Sequence, residues 1–378
     1  MKKCLSLFLC ALLLAALTPA AAAIESSAQS YALMEKSTGT LILAHNEHEK
    51  LEPASVTKVM TLLLVMEAID DGRLHYGDLL SASEHAASMG GSQVYLKAGE
   101  QMTVEDLIKA VCLASGNDAA VCLAEAVAGS EESFAARMNE RAAELTMADT
   151  HFVNCTGLPA EGHVTSAYDI ALMSRELILN HPDIRRFTTV WMDSLRNGTF
   201  QLANTNKLIR FYDGATGLKT GSTDAALYCL SATAERDGME LIATVLKAPT
   251  SKERFRTAES LLSYGFANFT LVDALPQEPL PTVPVKLGVR ESVRLRVEGA
   301  PQILLEKTKV SALSSAVETA PRAQAPVAAG DRLGSLTLSA DGETLAAFPL
   351  VAQENVKALS YWDIYQKILI ESLFVARI

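Results

Sequence analysis

The apolar positions change period several times along the chain. From Tyr31, "YALMEKSTGTLILAHNEHEK" alternates about a Ser-Thr-Gly turn, which predicts a β-hairpin. "TKVMTLLLVMEAIDDG" is apolar nearly all round, the pattern of a helix buried at a domain centre. "TVEDLIKAVCLASGNDAAVCLAEAVAG" reads as two helices broken near Ser115-Gly116, and "SEESFAARMNERAAEL" as a third. "TSAYDIALMSRELILN" is a further helix, capped at Thr165 or Ser166. After Gly214 the period shortens: "LYCLSATAERDGMELIATVLKA" predicts two strands joined at Asp237-Gly238, and "SKERFRTAESLLSYGFANF" returns to helix. Helices and antiparallel strands in this mixture define an α+β domain over residues 24–270.

Near Ala274 the character changes. "ALPQEPLPTVPV" holds four prolines, which disfavour helix and suit a stiff linker or an edge segment. The short alternating runs "SVRLRVEG", "QILLEKTKV" and "GSLTLSADGETLAAFPLV" then predict a small all-β domain over 271–357. The end of the chain, 358–378, is helical. Ser360, Asp363, Lys367 and Glu371 recur on one face, while Leu359, Trp362, Ile368, Leu369, Leu373 and Phe374 occupy the rest. So apolar a helix holding these charges is expected to lie in a membrane interface, with Trp362 near the headgroups, rather than to span.

Of the 378 residues, 49% are hydrophobic and 20% charged, and the net charge is −11. The chain can fill a large core, and with no basic cluster it excludes nucleic-acid binding. Residues 1–23 carry Lys2 and Lys3, an apolar run and Ala21-x-Ala23, which predict a secretory signal and an extracytoplasmic protein. Of the four cysteines beyond it, Cys112 and Cys122 lie in apolar runs, and with Cys155 and Cys229 they are expected as free thiols. The scattered histidines show no metal-ligand spacing, and neither a metal nor a cofactor is assigned.

Candidate chemistry starts at "EPASVTKVM", where Ser55 precedes Lys58 by three residues and so shares a helical face with it. A serine hydroxyl is a poor nucleophile until a base takes its proton. A lysine with an ordinary pKa of about 10.4 cannot be that base at neutral pH, but desolvation lowers it, and Lys219 is a candidate second cation to push it further. Ser115-Gly116-Asn117 follows Ser55 at 60 residues, and Lys219-Thr220-Gly221 follows Ser115 at 104.

Three such motifs in this order form the set carried by penicillin-binding proteins and serine β-lactamases. With the flanks "SGNDAAVCLAEAVAGSEESFAARMNERAAEL", "THFVNCTGL", "NTNKLI" and "GLKTGST", the chain resembles the low-molecular-weight D-alanyl-D-alanine carboxypeptidases over roughly residues 30–270. The match is weaker over the β domain, and Thr146 stands where that family carries glycine. The resemblance implies a β-lactamase/transpeptidase-like fold. It implies Ser55 as acyl-ester nucleophile, Lys58 as proton acceptor, Ser115 as proton relay and Asn117 as a substrate-amide and lysine ligand. Lys219 and Thr220 would bind the terminal carboxylate, Gly221 would admit substrate backbone, and the N–H groups of Ser55 and Ser222 would form the oxyanion hole. The implied partners are peptidoglycan stem peptides and β-lactams, with the membrane surface reached through the C-terminal helix.

The same scaffold also serves β-lactamases and D,D-endopeptidases, and a non-catalytic wall-binding protein is the alternative of another class. Glu176 to Asn180 matches the E-x-x-L-N of class A β-lactamases, but it ends an amphipathic helix and is expected on a helix surface.

Overall fold

The computed structural model describes residues 24–378 except 274, 277, 300, 301 and 376–378, and omits the side chains of 367 and 370–375. Residues 1–23, expected above to be a secretory signal, and the side chains of Lys367, Glu371, Leu373 and Phe374 therefore lie outside the described residues. Contacts divide the chain into two units, meeting between Gly265 and Phe266.

The first unit is built on a five-stranded antiparallel sheet. Its strands are β1 (Ser30–Glu35), β2 (Leu41–His45), β3 (Ala215–Thr223), β4 (Leu227–Arg236) and β5 (Met239–Ala248), in the order β2-β1-β5-β4-β3. β3 is thus an edge strand. Asp237 and Gly238, with φ of 51° and 78°, turn β4 into β5, as the Asp-Gly pair requires. β1 and nearly all of β5 are buried on both faces. On one face, α5 (Ala167–Asn180) packs through Ala171 and Ile178 against Met34 and Ile242. On the other, α6 (Ser251–Asn268) passes so close at Gly265 that an added Cβ would meet Leu241 at 2.4 Å.

α1 (Lys58–Asp70) is buried on every side in the central core, with α2 (Val104–Ala114), α3 (Asn117–Ala128) and α4 (Glu131–Glu144) around it. α2, α4 and α5 each start at a hydroxyl cap: Thr103, Ser130 and Ser166 accept from the N–H three residues on. Thr146, at the position noted for glycine, has φ of 59°, a region glycine enters at no cost and a β-branched residue does not.

The second unit contains β6 (Phe269–Asp273), β7 (Val283–Lys286), β8 (Ser292–Val293), β9 (Leu295–Val297), β10 (Gln302–Glu306), β11 (Ser314–Thr319), β12 (Ala323–Gln324), β13 (Arg332–Ala340) and β14 (Glu343–Ala352). They form a four-stranded sheet β9-β14-β13-β11, a three-stranded sheet β8-β7-β12 and the pair β6-β10. Pro284 lies in the middle strand β7, not at a sheet edge. It is tolerated because β12 pairs only with Val285 and Lys286, so no ladder bond is asked of the missing N–H. The small core gathers Val283, Val293, Leu336, Leu350 and Val356. The chain closes with α7 (Tyr361–Val375), started by Ser360, whose hydroxyl donates to Asp363 Oδ2 at 2.6 Å.

Candidate active site

Ser55 lies in a 3-10 turn, Ala54–Thr57, that runs straight into α1. Ala54 is held at φ of 48°, in the left-handed region that costs a residue with a Cβ about 1–3 kcal/mol. Two glycines hold the turn. A Cβ on Gly157 would stand 1.9 Å from the Ala54 carbonyl oxygen, and one on Gly221 would stand 2.9 Å from the amide nitrogens of Ser55 and Val56. Only glycine lets both backbones approach so closely, and Gly221 thereby sets the edge strand β3 against the peptide that carries Ser55.

Lys58 opens α1 with its side chain fully buried. Nζ lies 3.0 Å from Ser55 Oγ, 2.6 Å from Asn117 Oδ1 and 2.6 Å from the Thr156 carbonyl oxygen. Burial pushes its pKa down to about 7, with the Asp118 carboxylate pulling the other way. The neighbouring Cys155 thiol is held well above its ordinary range by burial, so it is neutral and offers Lys58 no anion. A neutral lysine has two N–H groups and one lone pair. Here the two carbonyl oxygens take the N–H groups, and the lone pair is left facing the Ser55 hydroxyl.

Asn117 starts α3, and its Nδ2 donates to the Gly90 carbonyl at 2.6 Å, so one side chain ties Lys58 to the loop before α2. The adjacent Asp118 accepts from the N–H of Leu96 at 2.9 Å and fixes that loop further. Ser115 breaks the helical run as expected: its φ of 61° closes α2. Its Oγ is buried with no hydrogen-bond partner among the described residues.

On β3, Lys219 is buried and donates to the Thr220 carbonyl oxygen at 2.9 Å. Burial first, then repulsion from Lys58 and Arg254, holds its pKa well below the lysine range. The two buried ammonium groups repel one another, so each disfavours the charged form of its neighbour on top of burial. Thr220 donates to Thr205 Oγ1 at 2.7 Å, and Ser222 is exposed one residue beyond Gly221.

Three contributors were given no role in the sequence reading, although two of them lie in its quoted stretches "THFVNCTGL" and "NTNKLI". They are the Thr156 carbonyl, Thr205, and Arg254, whose Nη1 donates to the carbonyls of Gly221 at 3.1 Å and Cys229 at 3.2 Å. Arg254 could have been found, because it falls on the buried stripe of α6 with Ala258, Leu261 and Leu262. Glu176 is half-buried on α5, where its carboxylate accepts from Arg141 at 2.6 Å. Glu67, Glu176 and His181 bring ligand atoms within 4.8 Å of one another, but Arg141 binds both glutamates and occupies the place of a cation. The four cysteines are buried free thiols.

A buried lysine on a serine hydroxyl, beside an edge strand that carries a second buried lysine, defines a serine-type acyl-transfer centre. Comparison with known proteins gives the family. Residues 16–250 match the D-alanyl-D-alanine carboxypeptidase family, Peptidase S11, and residues 275–358 match the C-terminal domain of penicillin-binding protein 5. The chain is 40% identical over 375 residues to D-alanyl-D-alanine carboxypeptidase DacF of Bacillus subtilis, covering 96% of each. It superposes on penicillin-binding protein 5 from Haemophilus influenzae with a TM-score of 0.80 at 30% identity, covering 88% of this chain and 98% of that one. Penicillin-binding protein D2 of Listeria monocytogenes, solved in its ampicillin-bound form, matches at 33% identity and TM-score 0.59 over 65% of this chain and 99% of that one. The chain belongs to the D-alanyl-D-alanine carboxypeptidase family of low-molecular-weight penicillin-binding proteins, and is a serine-type peptidase.

Proposed function

We propose that the protein removes the terminal D-alanine of peptidoglycan stem peptides through an acyl-enzyme on Ser55. Ser55 Oγ attacks the carbonyl of the penultimate D-alanine as its proton passes to Lys58 Nζ. The backbone N–H groups of Ser55 and Ser222 receive the oxyanion, and Ser115 relays the proton from Lys58 to the departing amine; the Lys58 so freed takes a proton from the water that cleaves the ester and returns it to Ser55 Oγ. Asn117 holds the substrate amide and orients Lys58. Lys219 and Thr220 take the terminal carboxylate, whose arrival restores the proton that burial withholds from Lys219. The carrying observation is the setting of Lys58: buried, its donors taken by two carbonyl oxygens, 3.0 Å from Ser55 Oγ. The unpartnered Ser115 hydroxyl fits a group that acts only with substrate present. A β-lactam is an amide of the same shape that acylates the serine and leaves slowly, in keeping with the ampicillin complex of the Listeria protein. In the test, penicillin adds one acyl group by intact mass and Ser55→Ala adds none, and a diacetylated tripeptide ending in D-Ala-D-Ala releases D-alanine. An adduct on the alanine variant removes Ser55 from its role.

The second reading is of place. In this proposal the protein is exported by residues 1–23 and rests on the outer face of the cytoplasmic membrane through α7. Tyr361, Trp362, Tyr365, Ile368 and Leu369 are exposed on that helix, and no helix among the described residues is long and apolar enough to cross a membrane. Deleting residues 358–378 from the processed protein is expected to shift it from vesicles to the soluble fraction with activity intact, whereas high salt leaves the full chain bound. A full-length processed protein that vesicles fail to retain refutes this reading.

A further inference from the structure

Four consecutive main-chain groups aim the carbonyl that meets Lys58. The Cys155 N–H donates to Glu131 Oε1 at 3.2 Å, and the Cys155 carbonyl accepts from Thr61 Oγ1 at 2.6 Å. The Thr156 N–H donates to Asn154 Oδ1 at 3.1 Å, and the Thr156 carbonyl accepts from Lys58 Nζ at 2.6 Å. Buried main-chain groups are paired in nearly every native structure, and these pairings hold both peptide planes. Asn154 belongs to the segment itself, and Thr61 lies on α1 one turn beyond Lys58. Glu131 grips the same peptides from a separate element, as the first residue of α4. Its carboxylate is 16% exposed, takes the Cys155 thiol as a second donor at 3.3 Å, and lies 2.7 Å from His85 Nε2 through its other oxygen.

An acidic residue at a helix start has an ordinary duty, to complement the helix dipole. That duty ends within the first turn, where Ser130 already caps α4, and it asks for no contact 24 residues along the chain. The contact with Cys155 bears on the reaction instead. The Thr156 carbonyl is one of the two acceptors that turn the Lys58 lone pair onto Ser55, so whatever fixes that carbonyl fixes the base. We infer that Glu131 is a positioning residue for acylation: by holding the Cys155 peptide and thiol, it keeps the Thr156 carbonyl on Lys58 Nζ. This rests on the acyl-enzyme reading above and adds a residue to its machinery. The titratable groups that face Lys58 are Asp118 of α3, the Cys155 thiol, Lys219 of β3 and His163. Glu131 acts on it through the Cys155 peptide, and His85 stands behind Glu131.

The test reads the rate of penicilloyl adduct formation by intact mass from about pH 5 to 10, in the unaltered protein and two variants. Glu131→Asp keeps the charge at the start of α4 but stops one methylene short of Cys155. Its limiting rate is expected to fall about tenfold, the scale of one hydrogen bond to a charged group. Its midpoint should move below the value of about 7 in the unaltered protein, because the ammonium form of Lys58 loses more than the neutral form when an acceptor withdraws. Glu131→Gln gives up the charge but still offers an oxygen to the Cys155 N–H. It should keep the rate within about twofold and the midpoint in place. Only folded molecules acylate, so the rate constant is not diluted by a misfolded fraction. A residue that merely stabilised the fold would lower the denaturant midpoint and leave the pH profile of acylation where it was. An unmoved profile in Glu131→Asp therefore overturns the inference. A glutamine variant impaired as much as the aspartate overturns it too, since charge and not grip would then be at work. No adduct in the unaltered protein at any pH overturns the acyl-enzyme reading instead, which is a separate outcome.

Discussion

The two units bury different things. Every buried polar or charged side chain among the described residues lies in the first unit, from Ser30 to Thr257. In the second, the buried side chains among the described residues are Phe266 and otherwise Val, Leu, Ile and Ala, and its ion pairs, such as Arg290 with Glu354, stay in partial contact with water. Burying a polar group costs free energy unless partners satisfy it. The first unit carries that cost in two settings. At Glu240 the carboxylate itself is fully met, by Lys36 at 2.9 Å, Arg185, and Thr216 donating at 2.8 Å. Around Ser115 and Lys219 the partners are incomplete. Ser115 and Lys219 are under-satisfied in a setting where a substrate could supply the missing partner, whereas the other unpartnered buried atoms among the described residues, on Tyr76, Arg185, Trp191 and Arg254, belong to side chains whose remaining contacts pack the scaffold.

The largest break of this contrast is Lys58→Arg. A guanidinium cannot give up its proton at working pH, so acylation by penicillin is expected to fall at least about 10⁴-fold, read from the rate of adduct formation. In the unaltered protein that rate should rise with pH as Lys58 deprotonates, with a midpoint near 7 where burial places it. The stability sign runs the same way. The folded pKa lies below the unfolded one, so the cost of burying Lys58 is fully present below about 7 and fades as pH rises toward 10.5.

Next in size, Glu240→Gln leaves Lys36 and Arg185 facing a neutral group and should cost about 3 kcal/mol in denaturant unfolding, the low end for a buried pair because both cations are partly wet. Its counterpart in the second unit, Arg290→Ala, should cost under about 1 kcal/mol, and equal losses would erase the distinction between the units. Lys219→Ala removes a charge-assisted carboxylate contact worth about 1.5–3 kcal/mol, so peptide turnover should drop about ten- to 150-fold while the fold persists. Unchanged turnover would move the carboxylate site elsewhere. Smallest of all, Glu176→Gln weakens the contact with Arg141 and should leave the lifetime of the penicilloyl enzyme as it was. A clearly longer lifetime would give Glu176 a deacylation role.

What could be read in the sequence follows from how local each signal is. Ser55 and Lys58 share one turn of chain, and Lys219 to Gly221 are consecutive, so short motifs expose them. The break at Ser115-Gly116 showed because it interrupts an apolar period. The Thr156 carbonyl reaches Lys58 across 98 residues through main chain alone, and a backbone acceptor has no residue type to betray it. The grip of Glu131 on Cys155 was hidden for a related reason, since it too ends on a main-chain group, 24 residues away. In the second unit the alternation announced strands, but the order β9-β14-β13-β11 and the inner position of Pro284 depend on tertiary pairing.

The edge position of β3 has a further consequence, for solubility. An open strand edge is a template on which other chains, including copies of the same protein, can add strands and aggregate. A substrate-binding edge must stay open, so Lys, Pro or a covering helix along its whole length would abolish its use. Here the opening is shortened instead. Lys219 and Thr220 are sunk below the surface, and at Gly221 the nucleophile turn lies against the strand. What remains offers purchase to the last few residues of a thin, flexible peptide and too few rungs for a folded neighbour's strand. The same geometry that would admit a chain end thus limits strand addition between copies at this edge.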